Sequence, residues 1–144
     1  MGQERVTAAV RVLARLHRLL ESTDSGLTLP QYRMLCALSE GGERSARLAE
    51  RLTIRKPTVT ALADGLVAAG YAQRHSEPGD RRIVRLHITA EGRHALEHAE
   101  KAYAARLAAL LDDVPDEDQL LAALAAIGAA LDRRAAAMHG RTTG

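Results

Sequence analysis

The sequence predicts a mainly α-helical chain interrupted by one small β-hairpin. Three observations carry this prediction. Apolar residues recur every three or four positions along most of the 144 residues, the spacing of a single helix face. That period is lost between Tyr71 and Ile88, where two short runs flank the turn Glu77-Pro78-Gly79-Asp80. The 47% hydrophobic content is carried by Ala, Leu and Val, with no Trp and no Phe, a palette that leans to helix.

The elements follow in order. Val6, Val10, Leu13, His17 and Leu20 form the apolar stripe of a first helix ending near Glu21, with Arg11, Arg15 and Arg18 off the stripe. Ser22 to Gly26 is a polar break. Thr28-Leu29-Pro30-Gln31 reads as a capping box with proline in the first turn. It opens a second helix through Tyr32, Leu35 and Leu38, which Gly41-Gly42 ends. Ser45 suits the N-cap of a short third helix, Ala46 to Leu52. After Thr53-Ile54-Arg55-Lys56, Pro57 sits in the first turn of a fourth helix. Val59, Leu62 and Leu66 face inward there, and Gly70 closes it. These two short helices with a tight turn are a helix-turn-helix candidate. Tyr71 to His75 and Ile83 to Ile88 are the strands of the hairpin. Thr89 caps a fifth helix through Leu96, Tyr103, Leu107 and Leu110, with Glu91 in its first turn. Pro115-Asp116-Glu117-Asp118 starts a last helix carrying Leu120, Leu124, Ile127 and Leu131, and the tail is expected to fray from His139.

Composition narrows the function. The length fits one domain, 1–144, without a linker. A single cysteine, Cys36, leaves no internal disulfide framework, and a reducing, cytoplasmic setting is the default. An aromatic content of 2% argues against binders of single strands or RNA, which need rings as stacking platforms. No targeting segment is visible, and Val6 breaks the myristoylation pattern that Met1-Gly2 would begin. The longest uncharged apolar run, Leu120 to Leu131, falls short of the roughly 18–20 residues of a membrane span. A soluble protein with no membrane partner is expected. The net charge is only +2, but residues 44–93 hold about ten basic and five acidic side chains, whereas residues 94–144 hold about five and eight. A basic centre points to a polyanion.

Four pieces of sequence, in their order and spacing, resemble the MarR family of bacterial winged-helix regulators. They are Leu27-Thr28-Leu29-Pro30-Gln31-Tyr32; Leu48-Ala49-Glu50-Arg51-Leu52; Pro57-Thr58-Val59-Thr60 followed by Leu66 and Gly70; and Asp80-Arg81-Arg82 with Ile88-Thr89-Ala90-Glu91-Gly92. The resemblance implies a winged helix-turn-helix lobe over about 28–92 and dimerisation helices over 4–21 and 93–138. It also implies a homodimer that binds double-stranded DNA at an inverted repeat. A small molecule held between the DNA-binding lobe and the dimer helices would release a repressor of this kind from its operator. Helix N-termini and arginines bind phosphates, and side chains of a recognition helix reach base edges. Ser45, Arg55, Lys56, Thr58, Thr60 and Ala61 are the candidate DNA contacts on the helices, and Arg81, Arg82 and Arg85 those on the wing. Similarity to the family's Asp-x-Arg wing assigns Asp80 to bracing and Arg82 to the minor groove. Three positions depart from the family pattern. Thr53 stands where glycine is frequent, Arg55 where a Ser-type cap is usual, and Ala61 where an arginine often follows Val-Thr.

Other motifs carry less. His94-Ala95-Leu96-Glu97-His98 matches H-x-x-E-H, and on a helix His94 and His98 share one face able to chelate zinc. Some relatives of the family sense zinc through histidines on this helix. The competing readings are a metal-binding dimer without DNA function, and two solvated or interface histidines. Cys36 lies one turn after Tyr32 on an apolar face, the setting of a small buried hydrophobe rather than a redox sensor. His17 reads as a hydrogen-bonded interface residue. No phosphate-cradling loop, nucleophile elbow or dinucleotide fingerprint follows either strand, so neither catalysis nor a cofactor is expected.

Overall fold

The structure, a computed structural model, describes residues 2–141. The elements are α1 (Gln3–Glu21), α2 (Leu29–Ser39), α3 (Ser45–Leu52), α4 (Lys56–Ala68), β1 (Ala72–Glu77), β2 (Asp80–Ile88), α5 (Ala90–Leu111) and α6 (Glu117–Gly140). Among the described residues the chain is mainly helical with a single two-stranded antiparallel sheet, as expected. It falls into two units, one ending at Arg106 and one beginning at Leu107.

Local signals place most helix starts. At α2 the box is complete: the Gln31 backbone N–H donates to Thr28 Oγ1 at 3.3 Å, and Thr28 N–H donates to Gln31 Oε1 at 2.9 Å. At α5 the Gly92 N–H donates to Thr89 Oγ1 at 3.0 Å, and at α6 the Gln119 N–H donates to Asp116 Oδ1 at 3.0 Å. The third helix corrects the sequence reading. Ser45 is its first residue, and the capping position belongs to Arg44, whose side chain makes no cap. The reason lies one residue upstream, where Glu43 exchanges both backbone hydrogen bonds with Leu86 of β2. That bridge ties the loop before α3 to the hairpin. The last helix runs on through the predicted fray to Gly140; the end of that tail, 142–144, lies outside the described residues.

The turn from α3 to α4 holds an unusual backbone conformation. Thr53 sits at φ 56° and ψ 49°, left-handed space that a β-branched residue rarely enters. Helix α3 ends in a Schellman-type closure, with the Ile54 N–H reaching the Ala49 carbonyl at 3.0 Å. The geometry that glycine would adopt freely is therefore imposed on threonine. Thr53→Gly is expected to raise stability by about 1 kcal/mol, with the strain relieved exceeding the added freedom of the unfolded chain. A rise in melting temperature checks this.

The hairpin pairs Ala72 with Ile88 through Ser76 with Val84, slips between Ser76 and Glu77, and closes with Glu77 opposite Asp80. It is longer than the sequence suggested, because β2 starts at Asp80. Arg81 and Arg82 are thus strand residues. Gly79, at φ 96°, supplies the turn, and Arg85 pairs with Glu77 across the strands beside it.

The core of the first unit gathers Met34, Leu35 and Leu38 of α2, Leu48 of α3, Val59, Ala63 and Leu66 of α4, Leu86 of β2 and Leu96 of α5. Each fully buried Leu or Met stabilises by roughly 1.5–3 kcal/mol. Leu62, expected inside, is only partly covered, and Ala63 takes the buried place on that face. Helix α1 buries no residue, and Val6, Val10 and Leu13 stay exposed, Val10 at 58%. The second unit holds the end of α5, a turn over 112–116 and α6. Helix α6 also buries nothing, with Leu121, Ile127 and Leu131 exposed, Leu131 at 63%. Among the described residues no helix is long and apolar enough to cross a membrane.

Candidate nucleic-acid interface

Helices α3 and α4 present the predicted surface. Val59, Ala63 and Leu66 anchor α4 in the core, which leaves Lys56, Thr58, Thr60 and Ala61 exposed on the other side. Arg55 precedes α4 as an exposed N-cap without a side-chain cap bond, so the first N–H groups of this helix keep open donor capacity. Ser45, at the start of α3, is exposed as well. Thr60 donates its hydroxyl hydrogen to the Lys56 carbonyl at 3.1 Å, leaving its lone pairs as acceptors. Two contacts steady the pair. The Arg33 guanidinium of α2 caps α3, donating to the Leu52 carbonyl at 2.8 Å. Arg74 of β1 pairs with Asp64 of α4.

The tip of the hairpin carries a braced cation. The Asp80 carboxylate accepts from Arg82 Nε at 3.0 Å, from its Nη2 at 3.2 Å and from its backbone N–H at 3.1 Å. The Arg82 side chain is nonetheless 91% exposed, a guanidinium held in place at the surface. The Arg82 side chain and then its backbone N–H hold the Asp80 carboxyl below its ordinary value. A depressed carboxyl keeps its brace at neutral pH and loses it only as pH falls through the lowered value. Arg81 is exposed and, among the described residues, has no carboxylate partner within 4.0 Å. Arg85 differs. It is half-buried and shared between Glu77 and Glu43, the latter at 3.8 Å. Glu43 is in none of the sequence motifs, and Arg51 is named there only as part of the α3 segment, since their contacts join segments that no local pattern links.

The remaining candidates lie apart from this surface. His94 and His98 of α5 are exposed and line a cavity of about 460 Å³ together with Glu91, Ser25 and Tyr71. Among the described residues no three His, Cys, Asp or Glu side chains come together to hold a metal. A two-histidine pair is short of the ligands that zinc takes, which leaves the metal-binding alternative unfavoured. Burial pushes the Cys36 thiol above its ordinary value, so it stays protonated and a poor nucleophile at neutral pH. His17 pairs with Glu21 at 3.4 Å. A second, larger cavity of about 760 Å³ opens between the end of α1 and the start of α2, with His17, Glu21, Thr28, Gln31 and Arg33 on its walls.

This arrangement of helices and hairpin has matches among known proteins. The sequence profile of the MarR family matches residues 25–83. The HTH-type transcriptional repressor MdtR of Bacillus subtilis is 31% identical over 107 residues, which cover 73% of this chain and 69% of MdtR. The chain belongs to the MarR family. It spans 56–58% of the length of three further HTH-type regulators of the same organism. The solved structure of the transcriptional regulator BldR from Sulfolobus solfataricus superimposes with a TM-score of 0.71 at 26% identity, covering 90% of this chain and 99% of that one. CouR from Rhodococcus jostii RHA1, solved bound to p-coumaroyl-CoA, shares the fold with a TM-score of 0.68 at 22% identity, covering 87% of this chain and 92% of CouR. The profile match runs from just before α2 into the first residues of β2.

Proposed function

We propose that this chain is a DNA-binding transcriptional repressor that works as a homodimer on an inverted-repeat operator and is released by a small molecule. The observation that carries the reading is the exposed cationic hardware of the lobe: the uncapped N-terminus of α4 with Arg55 and Lys56, and the hairpin tip with Arg81 and the braced Arg82. Helix α4 enters the major groove, where Lys56, Thr58, Thr60 and Ala61 face base edges and Ser45 and Arg55 meet phosphates. The wing places Arg82 in the minor groove with Arg81 beside it. Arg85, already shared between two carboxylates, contributes less than either.

Dimerisation uses the apolar stripes of α1 and α6, which a monomer leaves in water. These helices and the C-terminal part of α5 are the assembly elements, and 28–92 is the DNA-binding lobe. MdtR, a repressor by name, supports the sign of regulation. The cavity lined by His17 and Arg33 supports an effector, as does the ligand-bound state in which CouR was solved. Such a ligand acts only by binding one lobe spacing better than the other. Sedimentation at micromolar concentration is expected to show a dimer. A well-folded monomer there would remove the two-lobed geometry on which operator binding depends.

A further inference from the structure

We propose that Glu43 is a positioning residue for DNA binding, fixing the wing against the helix pair so that Arg82 meets the groove already aimed. This rests on reading the hairpin as a wing that touches DNA. Glu43 lies in the loop between α2 and α3, outside every motif in the sequence. Its backbone N–H donates to the Leu86 carbonyl at 3.0 Å and its carbonyl accepts from the Leu86 N–H at 2.8 Å. This bridge, the Arg74–Asp64 pair and the buried Leu86 hold the root of the hairpin. The Glu43 side chain adds an attachment one residue nearer the tip. One carboxylate oxygen faces Arg85 Nη1 of β2 at 3.8 Å, and the other faces Arg51 Nη1 of α3 at 3.9 Å. Arg51 is also held by Glu40 and Arg85 by Glu77. The alternating chain Glu40–Arg51–Glu43–Arg85–Glu77 therefore runs from the helices to the last residue of β1, which pairs with Asp80 at the start of β2, two residues from Arg82.

The sign of the effect separates this role from simple electrostatics. A carboxylate in the basic centre of the chain repels phosphates, so by charge alone its removal strengthens DNA binding. Through geometry its removal weakens binding, because a pivoting wing must be ordered at the moment of association. Two further features favour geometry. The Glu43 side chain is only 19% exposed, and its two oxygens face arginines of different elements, with Oε1 fixed in place by accepting from the Arg44 backbone N–H at 3.1 Å.

The test compares parent, Glu43→Gln, Arg82→Ala and the double variant by band shift across a salt titration. The probe is a duplex that the parent retains from a random pool. Glu43→Gln keeps the backbone bridge and the shape of the side chain. It is expected to bind about fivefold more weakly with no steeper salt slope, and to cost nothing further once Arg82 is gone. Tighter binding with a slope steeper by about one ion overturns the proposal in favour of charge. A loss that persists undiminished in the Arg82→Ala background overturns it in favour of general destabilisation. Parent-like binding by Arg82→Ala itself sinks the wing reading, and this inference with it, a pattern distinct from the other two. Should Glu43→Gln fail to melt cooperatively, Glu77→Gln at the far end of the chain is read by the same criteria.

Discussion

Gly92→Ala is expected to destabilise the protein by about 3 kcal/mol, at the upper end of what overpacking costs. In an ordinary helix the same change gains up to about 1 kcal/mol, because alanine restricts the unfolded chain. Here a Cβ at position 92 would lie 2.1 Å from the Tyr71 carbonyl oxygen and 2.9 Å from Ile88 Cγ1. The first obstacle is backbone and has nowhere to go. That carbonyl is already engaged, accepting from the Thr89 N–H at 3.0 Å, at the point where the start of α5 closes onto the hairpin. Gly65 is the control. Its Cβ would meet only Gln31 Nε2, at 3.9 Å, so Gly65→Ala is expected to gain about 0.5–1 kcal/mol. Denaturant midpoints of the two variants should move in opposite directions. A neutral Gly92→Ala would mean that α5 can step away from the hairpin, and that the wing root is looser than the contacts describe.

Arg82→Ala is expected to weaken operator binding by about 1–3 kcal/mol, with the salt slope shallower by roughly one unit. The guanidinium is exposed yet held by two hydrogen bonds to Asp80, with the Arg82 backbone N–H donating a third, so its orientation costs little on binding. Asp80→Ala removes no cation but frees that guanidinium, and should reproduce part of the loss with the slope unchanged. Lys56→Ala, at the first turn of α4, should instead alter which half-sites are preferred. Melting temperature and dimer content exclude unfolding as the cause. Parent-like affinity of Arg82→Ala across the titration would leave that arginine a solvated surface charge.

What the sequence made legible was local. The box at Thr28 and Gln31 and the caps at Thr89 and Asp116 each satisfy a backbone donor within three residues, so their signals survive any packing. Thr53 was flagged only as a departure from a glycine position, and its left-handed backbone shows why the position matters. Tertiary contacts hid the rest. Ser22 to Gly26 reads as a polar break, yet Ser25 is 1% exposed, its hydroxyl 3.0 Å from that of Tyr103, a residue 78 positions away. Ser45 falls inside α3 rather than at its cap, and the loop before it is bridged to a strand about forty residues on, a contact no local pattern announces. Arg85 looked like one more wing cation because its partners Glu77 and Glu43 are cross-strand and cross-loop neighbours. The exposed face of α4, by contrast, follows from helical spacing, whereas the Asp80–Arg82 pair was expected only from the resemblance to the family's Asp-x-Arg wing.

Selection from a random pool of duplexes, followed by sequencing of the DNA retained, tests the central claim most directly. A two-fold dimer with one recognition helix per protomer predicts an inverted repeat whose half-sites lie about 10 bp apart, centre to centre. Enrichment of a single asymmetric site, preference for RNA over duplex DNA, or no enrichment at all would contradict it.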